Sequence, residues 1–261
     1  HGLGNDFLVV VDLEDRHRLD PAAVRALCER HRGVGADGVI RVLAGRDGAV
    51  ATMELRNSDG GEAEVSGNGL CCMAQALLDA ELVDRPAFTI ATAAGPRRVK
   101  VRPAFGPDAV EVSVGMGAVR VEEGEVAGLP GERACLVDAG NPHVVVLFPE
   151  VSSLVVSEVG PQIEMSLGGD INVELVAPGQ GEGRLELRTW ERGAGETLAC
   201  GTGSCAAAVA ARRWGLVGDK VAVANRGGEL LVDTGGPEVV LTGGSERVAR
   251  VSVSLSRLRA S

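Results

Sequence analysis

Residues 190–204 read WERGAGETLACGTGS, and residues 57–69 read NSDGGEAEVSGNG. Both stretches make an acidic, polar approach to a turn of small residues, reach a single Cys or Ser, and continue as Gly-x-Gly into an alanine-rich run. Cys200 and Ser66 hold the matching positions, 134 residues apart in a chain of 261. A repeat at half the chain length predicts two related halves, each presenting one reactive side chain where a helix begins. A thiol at a helix N-terminus is expected to gain from the helix dipole and the free backbone N–H groups, which favour thiolate. Two such groups addressing one carbon would form a pair of opposed acid/base catalysts.

Composition narrows the setting. Aromatic residues make up 2 % of the chain and tyrosine is absent, so the cores must rest on Val, Leu, Ile and Ala. Thirty-seven glycines imply many tight turns, which suits short strands better than a helix bundle. The formal charge of −10 argues against a nucleic-acid partner, which needs clustered Lys and Arg. No apolar run approaches the roughly 18 residues of a membrane span, and no signal-peptide pattern is present. The six cysteines (28, 71, 72, 135, 200, 205) include no C-x-x-C, so no structural metal is expected. Cys28, Cys72, Cys135 and Cys205 read as buried small hydrophobes, and a reducing cytoplasm is the simplest home.

The order of elements repeats as well. Strands are expected at Phe7–Asp12, Gly38–Leu43, Ala51–Asn57, Ala87–Ala91, Arg97–Arg102 and Val110–Val114, with helices over Pro21–His31 and Leu70–Glu81. A second series gives strands around Ala134–Asp138, Val144–Phe148, Ile171–Leu175 and Arg184–Trp190, then a helix over Ser204–Trp214. Glu229–Asp233 and Glu238–Thr242 flank a Gly-Gly-Pro turn, and Val248–Leu255 alternates like a closing strand. The fold class is therefore mixed α/β (α+β), with halves at 1–115 plus 248–261 and at 116–247. The long helices are apolar around most of their circumference and should be buried within their own halves.

Other motifs are weaker. GVGADG at 33–38 matches a dinucleotide fingerprint, but it follows a helix and leads into a strand, the reverse of what that fingerprint needs. HGLGNDF at 1–7 places Asn5 and Asp6 just before a strand. GNPH at 140–143 offers Asn141, held extended by Pro142, and His143, a natural partner for a nearby thiol. Glu191 and Arg192 end a strand, and the N–H groups of Gly201 and Thr202 could hold a carboxylate, as helix N-termini do.

HGLGNDF, RGVGADG, NSDGGEAEVSGNG, GNPH, INVE and ERGAGETLACGTG occur in the order seen in diaminopimelate epimerases, and the chain resembles that family from His1 to about residue 255. The resemblance implies two pseudosymmetric domains, each a strand-rich barrel or roll around a central helix, with the active site in the cleft between them. It implies a cofactor-independent epimerase interconverting LL- and meso-diaminopimelate for lysine and peptidoglycan synthesis, commonly as a homodimer. Residue by residue, Asn5, Asn57, Asn141 and Asn172 match substrate-binding asparagines, and Glu191–Arg192 match the acid–arginine pair that grips the distal end. Gly67–Asn68 and Gly201–Thr202 would hold the carboxylate at the reacting carbon. Cys200 matches one catalytic cysteine, and His143 and Glu191 would set the protonation of the pair.

The chain departs from the family where the chemistry is most exposed. Ser66 stands where the second catalytic cysteine belongs, and Cys71 replaces the usual arginine of the GNG-x-R-C segment. A hydroxyl is a far weaker acid than a thiol and so a poor general base at neutral pH. Cys71 and Cys72 lie more than a helical turn beyond the exposed end. Three readings stay open: a natural variant in which Ser66 works with Cys200, an altered Cys→Ser form that binds but turns over poorly, and a sibling epimerase or dehydratase of the same fold. A diaminopimelate-binding pseudoenzyme is the non-enzymatic alternative. A pyridoxal-phosphate racemase would need a Schiff-base lysine, and Lys100 and Lys220 lie in no such motif.

Overall fold

The computed structural model describes residues 1–254 except Phe105, Pro107, Glu123 and Glu125. The chain forms two compact units, unit 1 from His1–Ser113 with Gly244–Ser261 and unit 2 from Val114–Gly243.

Unit 1 contains β1 (Phe7–Val11), α1 (Pro21–Cys28), β2 (Gly38–Ala44), β3 (Ala51–Asn57), β4 (Glu62–Ala63), α2 (Gly67–Asp79), β5 (Ala87–Thr92) and β6 (Gly95–Pro103). The chain leaves it along β7 (Ala109–Gly117). Unit 2 contains β8 (Arg120–Val121), β9 (Arg133–Asp138), β10 (Pro142–Leu147), α3 (Val156–Ser166), β11 (Asn172–Pro178), β12 (Arg184–Glu191), β13 (Gly195–Thr197), α4 (Gly201–Arg213), β14 (Lys220–Asn225) and β15 (Gly228–Asp233). The chain returns to unit 1 along β16 (Val239–Glu246).

The two units share one pairing plan. In unit 1, β1 runs parallel to β2 with Phe7 opposite Gly38, and β2 runs antiparallel to β3 with Ile40 opposite Leu55. In unit 2, β10 runs parallel to β11 with His143 opposite Asn172, and β11 runs antiparallel to β12 with Glu174 opposite Thr189. Each third strand carries a short antiparallel partner, β4 on β3 and β13 on β12, and a parallel one, β5 and β14. The parallel strands read GVIRVLA and NVELVAP and are buried on both faces, as parallel strands covered on each side must be.

The long helices begin three residues earlier than the expected Leu70 and Ser204, because Ser66 and Cys200 serve as their N-caps. Helix α2 packs on β1, β2 and β6, and α4 on strands β8 to β12, β14 and β15. Ten of the thirteen residues of each helix are buried, as their apolar circumference predicts. Helix α1 starts where the sequence says, with Pro21 in its first turn and the Asp20 carboxylate accepting from the Ala23 N–H at 2.8 Å.

Three parts of the reading need correction. Helix α3 was not expected: it contains Pro161 and has no side-chain N-cap, so both local signals oppose it. Packing decides it. A side chain at Gly160 would come within 2.6 Å of the Trp190 ring, and the Trp190 indole N–H donates to Glu164 at 2.7 Å. Strand β14, a plainly alternating KVAVAN, is a further element that the sequence expectations lack. Conversely, residues 248–254 form no strand; Val248 and Val251 are exposed, and Leu255 lies outside the described residues. Alternation makes a strand only where a neighbour supplies hydrogen bonds. Arg247 is tied to unit 1: its N–H donates to the Asp108 carbonyl and its guanidinium pairs with Asp79.

Candidate active site

In unit 1, Ser66 adopts extended backbone (φ −136°, ψ 126°), and its hydroxyl oxygen accepts from the Gly69 N–H at 3.0 Å. The hydroxyl thus caps α2, satisfying one of the donors a helix start leaves orphaned. Next to it, the buried Asn68 amide donates to Asn5 Oδ1 at 3.2 Å, and the Asn5 amide donates to Asp37 at 2.9 Å. Arg30 donates to both Asp6 and Asp37 at 2.8 Å. Burial opposes the ionisation of Asp6, but the Arg30 guanidinium outweighs it and holds the carboxyl below its usual range. Asn57 closes β3 opposite Gly38. The GVGADG stretch therefore is a brace, its Asp37 tying the Asn5 turn to Arg30, two residues past the end of α1.

In unit 2, Cys200 occupies the equivalent cap (φ −121°, ψ 116°), buried, with Sγ accepting from the Gly203 N–H at 3.3 Å and 3.5 Å from the Thr202 hydroxyl. Its N–H donates to Asn225 Oδ1 at 3.4 Å, and Ser204 Oγ donates to its carbonyl at 2.8 Å. The helix start favours thiolate, but burial acts against it. Burial, then the charges of Glu191 and Glu174, push the thiol well above its ordinary value, and the contacts from Thr202 and Gly203 do not offset them. The free protein holds Cys200 as a neutral thiol, because desolvating a thiolate beside two carboxylates costs more than the helix terminus returns.

Around this loop, Glu191 accepts from the Thr197 hydroxyl, and Arg192 pairs with Asp170 at 2.7 Å. The Asn172 amide joins two strand ends, accepting from the Arg192 N–H at 3.0 Å and donating to the Pro142 carbonyl at 3.0 Å. His143 is fully buried, with Nδ1 2.8 Å from Glu174 and Nε2 2.9 Å from Asn141 Oδ1. Gly201 and Thr202 open α4, where the first N–H groups have no intrahelical partner.

The expected residues thus gather in two groups: Asn5, Ser66, Gly67 and Asn68 with Asn57 in unit 1, and Asn141, His143, Asn172, Glu191, Arg192, Cys200, Gly201 and Thr202 in unit 2. The sequence reading missed Arg30, Asp37, Glu174, Thr189 and Asn225. Glu174 alone carried a usable signal, a charge in the otherwise apolar run VELVA. The remaining cysteines are free and buried, and burial raises the thiols of Cys71 and Cys205, Cys205 to about 12. Among the described residues no His/Cys/Asp/Glu cluster could hold a metal, and no helix is long and apolar enough to cross a membrane.

Comparison with known proteins identifies the family. The profile of the diaminopimelate epimerase family matches residues 1–122 and 135–248. A diaminopimelate epimerase of Synechocystis sp. is 38 % identical over 271 residues, covering 95 % of each chain. One of Synechococcus sp. is 42 % identical over 237 residues, covering 80 % of each. Among solved structures, a hydroxyproline epimerase from Agrobacterium vitis aligns with a TM-score of 0.70 at 19 % identity, covering 91 % of this chain and 86 % of that one. A phenazine biosynthesis protein of the PhzF family from Bacillus anthracis aligns at 0.67 and 16 %, covering 94 % and 91 %. These two establish the fold alone, whereas the sequence matches span both cap loops and the strands behind them. The chain belongs to the diaminopimelate epimerase family.

Proposed function

We propose that this protein interconverts LL- and meso-diaminopimelate by two-base proton transfer at the α-carbon, with Cys200 and Ser66 as the two acid/base groups. The observation that carries the reading is the pair of equivalent caps: one reactive atom at each helix start, beside N–H groups suited to the substrate carboxylate. One group, once deprotonated, takes the α-proton, and the other, in its protonated form, delivers a proton to the carbanion. The carboxylate-stabilised carbanion in between is held by the backbone N–H groups of Gly201–Thr202 and Gly67–Asn68. Asn5, Asn57, Asn141, Asn172, Glu191 and Arg192 bind the remaining polar groups, and His143 and Glu191 tune protonation. No cofactor takes part and the protein acts as a homodimer, which family membership supports; the free cysteines favour a reducing cytoplasm.

The capping bond of Ser66 favours a second reading, a site that binds diaminopimelate but turns it over slowly. A hydroxyl already accepting from the Gly69 N–H is poorly placed to gain basicity. The test is α-deuterium uptake by NMR, with LL- and meso-diaminopimelate incubated separately in D2O, for this protein and Ser66→Cys. Exchange and epimerisation at similar rates in both proteins make Ser66 a working acid/base. Turnover only in the variant shows an intact site slowed by the serine. Exchange in neither refutes the reading.

A further inference from the structure

The turn between β14 and β15 grips the loop that carries Cys200. Its residues Asn225, Arg226 and Gly227 are consecutive, and they reach alternate residues of that loop. The Gly227 N–H donates to the Leu198 carbonyl at 2.7 Å, the Arg226 guanidinium pairs with Glu196 at 3.2 Å, and Asn225 Oδ1 accepts from the Cys200 N–H at 3.4 Å. The Asn225 NH2 donates to the Val223 carbonyl at 3.1 Å and to Ser204 Oγ at 3.2 Å. That hydroxyl in turn donates to the Cys200 carbonyl at 2.8 Å. A closed ring of hydrogen bonds therefore runs from the Cys200 N–H through Asn225 and Ser204 back to the Cys200 carbonyl. Backbone groups fix which way the amide points: its oxygen faces an N–H and its nitrogen faces a carbonyl, so a reversed amide would lose both contacts.

Unit 1 supplies an internal control. Hairpins β5–β6 and β14–β15 share a register, with Thr92 opposite Gly95 where Asn225 is opposite Gly228. The Thr92 hydroxyl donates within its own hairpin, to the Gly95 carbonyl at 2.7 Å. Ala93 and Ala94 stand in place of Arg226 and Gly227. Leu70, at the place of Ser204, brings only its N–H to the Ser66 carbonyl, at 2.9 Å. The helix start at Ser66 thus forms without the amide and the hydroxyl that hold the Cys200 peptide. Folding does not require the ring, since the repeat does without it, and the ring sits on the half that carries the thiol.

We propose that Asn225 is a positioning residue: together with Ser204 it fixes the Cys200 peptide, and through it the direction in which the thiol leaves the start of α4. This rests on the reading that Cys200 exchanges a proton with the α-carbon of diaminopimelate. A peptide held at both its N–H and its carbonyl has little freedom to turn, and Sγ is a single bond from the Cβ it carries. Proton transfer loses rate steeply when the acid/base group swings out of line, whereas Asn225 touches none of the groups assigned to substrate binding.

The test compares this protein with Asn225→Ala, which removes the side chain, and Asn225→Thr, which carries the unit 1 residue into unit 2 and so opens the ring while leaving the hairpin a bond of the kind Thr92 makes. Thr92→Ala, in unit 1, is the control. Alkylation by iodoacetamide in the free proteins is followed at Cys200 by tandem mass spectrometry, with buried Cys205 of the same helix reporting any general opening. The kcat and KM for meso-diaminopimelate are read from α-deuterium exchange in D2O. In both Asn225 variants Cys200 should alkylate about threefold faster or more while Cys205 keeps its rate. Their kcat should fall about tenfold or more with KM within about threefold, and Thr92→Ala should match the parent in both assays. An unchanged Cys200 rate in both variants, Cys200 and Cys205 accelerating together, or a raised KM at constant kcat overturns the proposal; should Asn225→Ala fail to fold, Asn225→Thr decides. If the parent exchanges no α-proton while the alkylation rates split as expected, the function reading falls and the hold of Asn225 on Cys200 stands.

Discussion

Replacing Gly203 with alanine should unfold unit 2 far more readily than the same change at Gly69 unfolds unit 1. Both glycines are the third residue of a buried 13-residue helix, so each substitution gains about 1 kcal/mol of helix propensity. The surroundings differ. At Gly69 the new methyl would meet Met53 Cε at 3.0 Å, the free end of a flexible thioether, and Ser66 Cβ and Ile40 Cδ1 at 3.1 and 3.2 Å, contacts that small shifts relieve. At Gly203 the methyl would lie 2.4 Å from Oε1 and 2.6 Å from Oε2 of Glu174, whose carboxylate is held by His143 and Thr189 and has no solvent to move into. Displacing it breaks two hydrogen bonds to a charged group, each worth about 1.5–3 kcal/mol. After the propensity gain, Gly203→Ala should cost about 2–5 kcal/mol, and Gly69→Ala should fall within about 1 kcal/mol of zero. The two tryptophans, Trp190 and Trp214, both belong to unit 2, so urea unfolding followed by tryptophan fluorescence reports on the unit carrying Gly203. Far-UV circular dichroism follows the whole chain. A Gly203→Ala protein within about 1 kcal/mol of the parent by fluorescence would refute the argument that the carboxylate is fixed against α4.

Two further outcomes follow from the electrostatics. The raised thiol of Cys200 means little thiolate near neutrality, so iodoacetamide should alkylate it at pH 8 more slowly than an exposed cysteine peptide. Glu191→Gln, which removes one of the charges opposing thiolate, should speed the reaction; mass spectrometry of the Cys200 peptide reads both, and alkylation already at its plateau rate by pH 7 would contradict the assignment. In unit 1, burial raises the Asp12 carboxyl, but the Arg41 guanidinium and the N–H groups of His17 and Arg16 bring it down to about 2 from an ordinary 3.8. Its folded value is depressed, so its stabilisation is complete above about pH 4 and is lost as pH falls through about 2. Asp12→Asn should therefore be less stable than the parent at pH 7 by circular dichroism, with the gap closing between pH 4 and 2; a gap independent of pH over that window would rule out the ion pair as its source.

The local code of this chain determined most of its elements and the two helix-cap positions. Alternation and β-branched runs marked most strands, Asp20–Pro21 marked the start of α1, and the repeated cap loops located Ser66 and Cys200 before any contact was known. These are properties of a few neighbouring residues, and period and capping chemistry register them directly. Tertiary structure decided what depends on partners remote in sequence. Helix α3 forms across Pro161 because Gly160 admits the Trp190 ring, whereas residues 248–254 alternate yet find no strand to pair with. The thiol of Cys200 rests neutral although its helix terminus favours charge, because folding buries it beside Glu174 and Glu191, 26 and 9 residues away. Asp37 becomes a brace for Asn5, and Glu174 a floor beneath α4, only when strand register brings them there. Burial and charge proximity are sums over the folded neighbourhood, and no local window of sequence contains them.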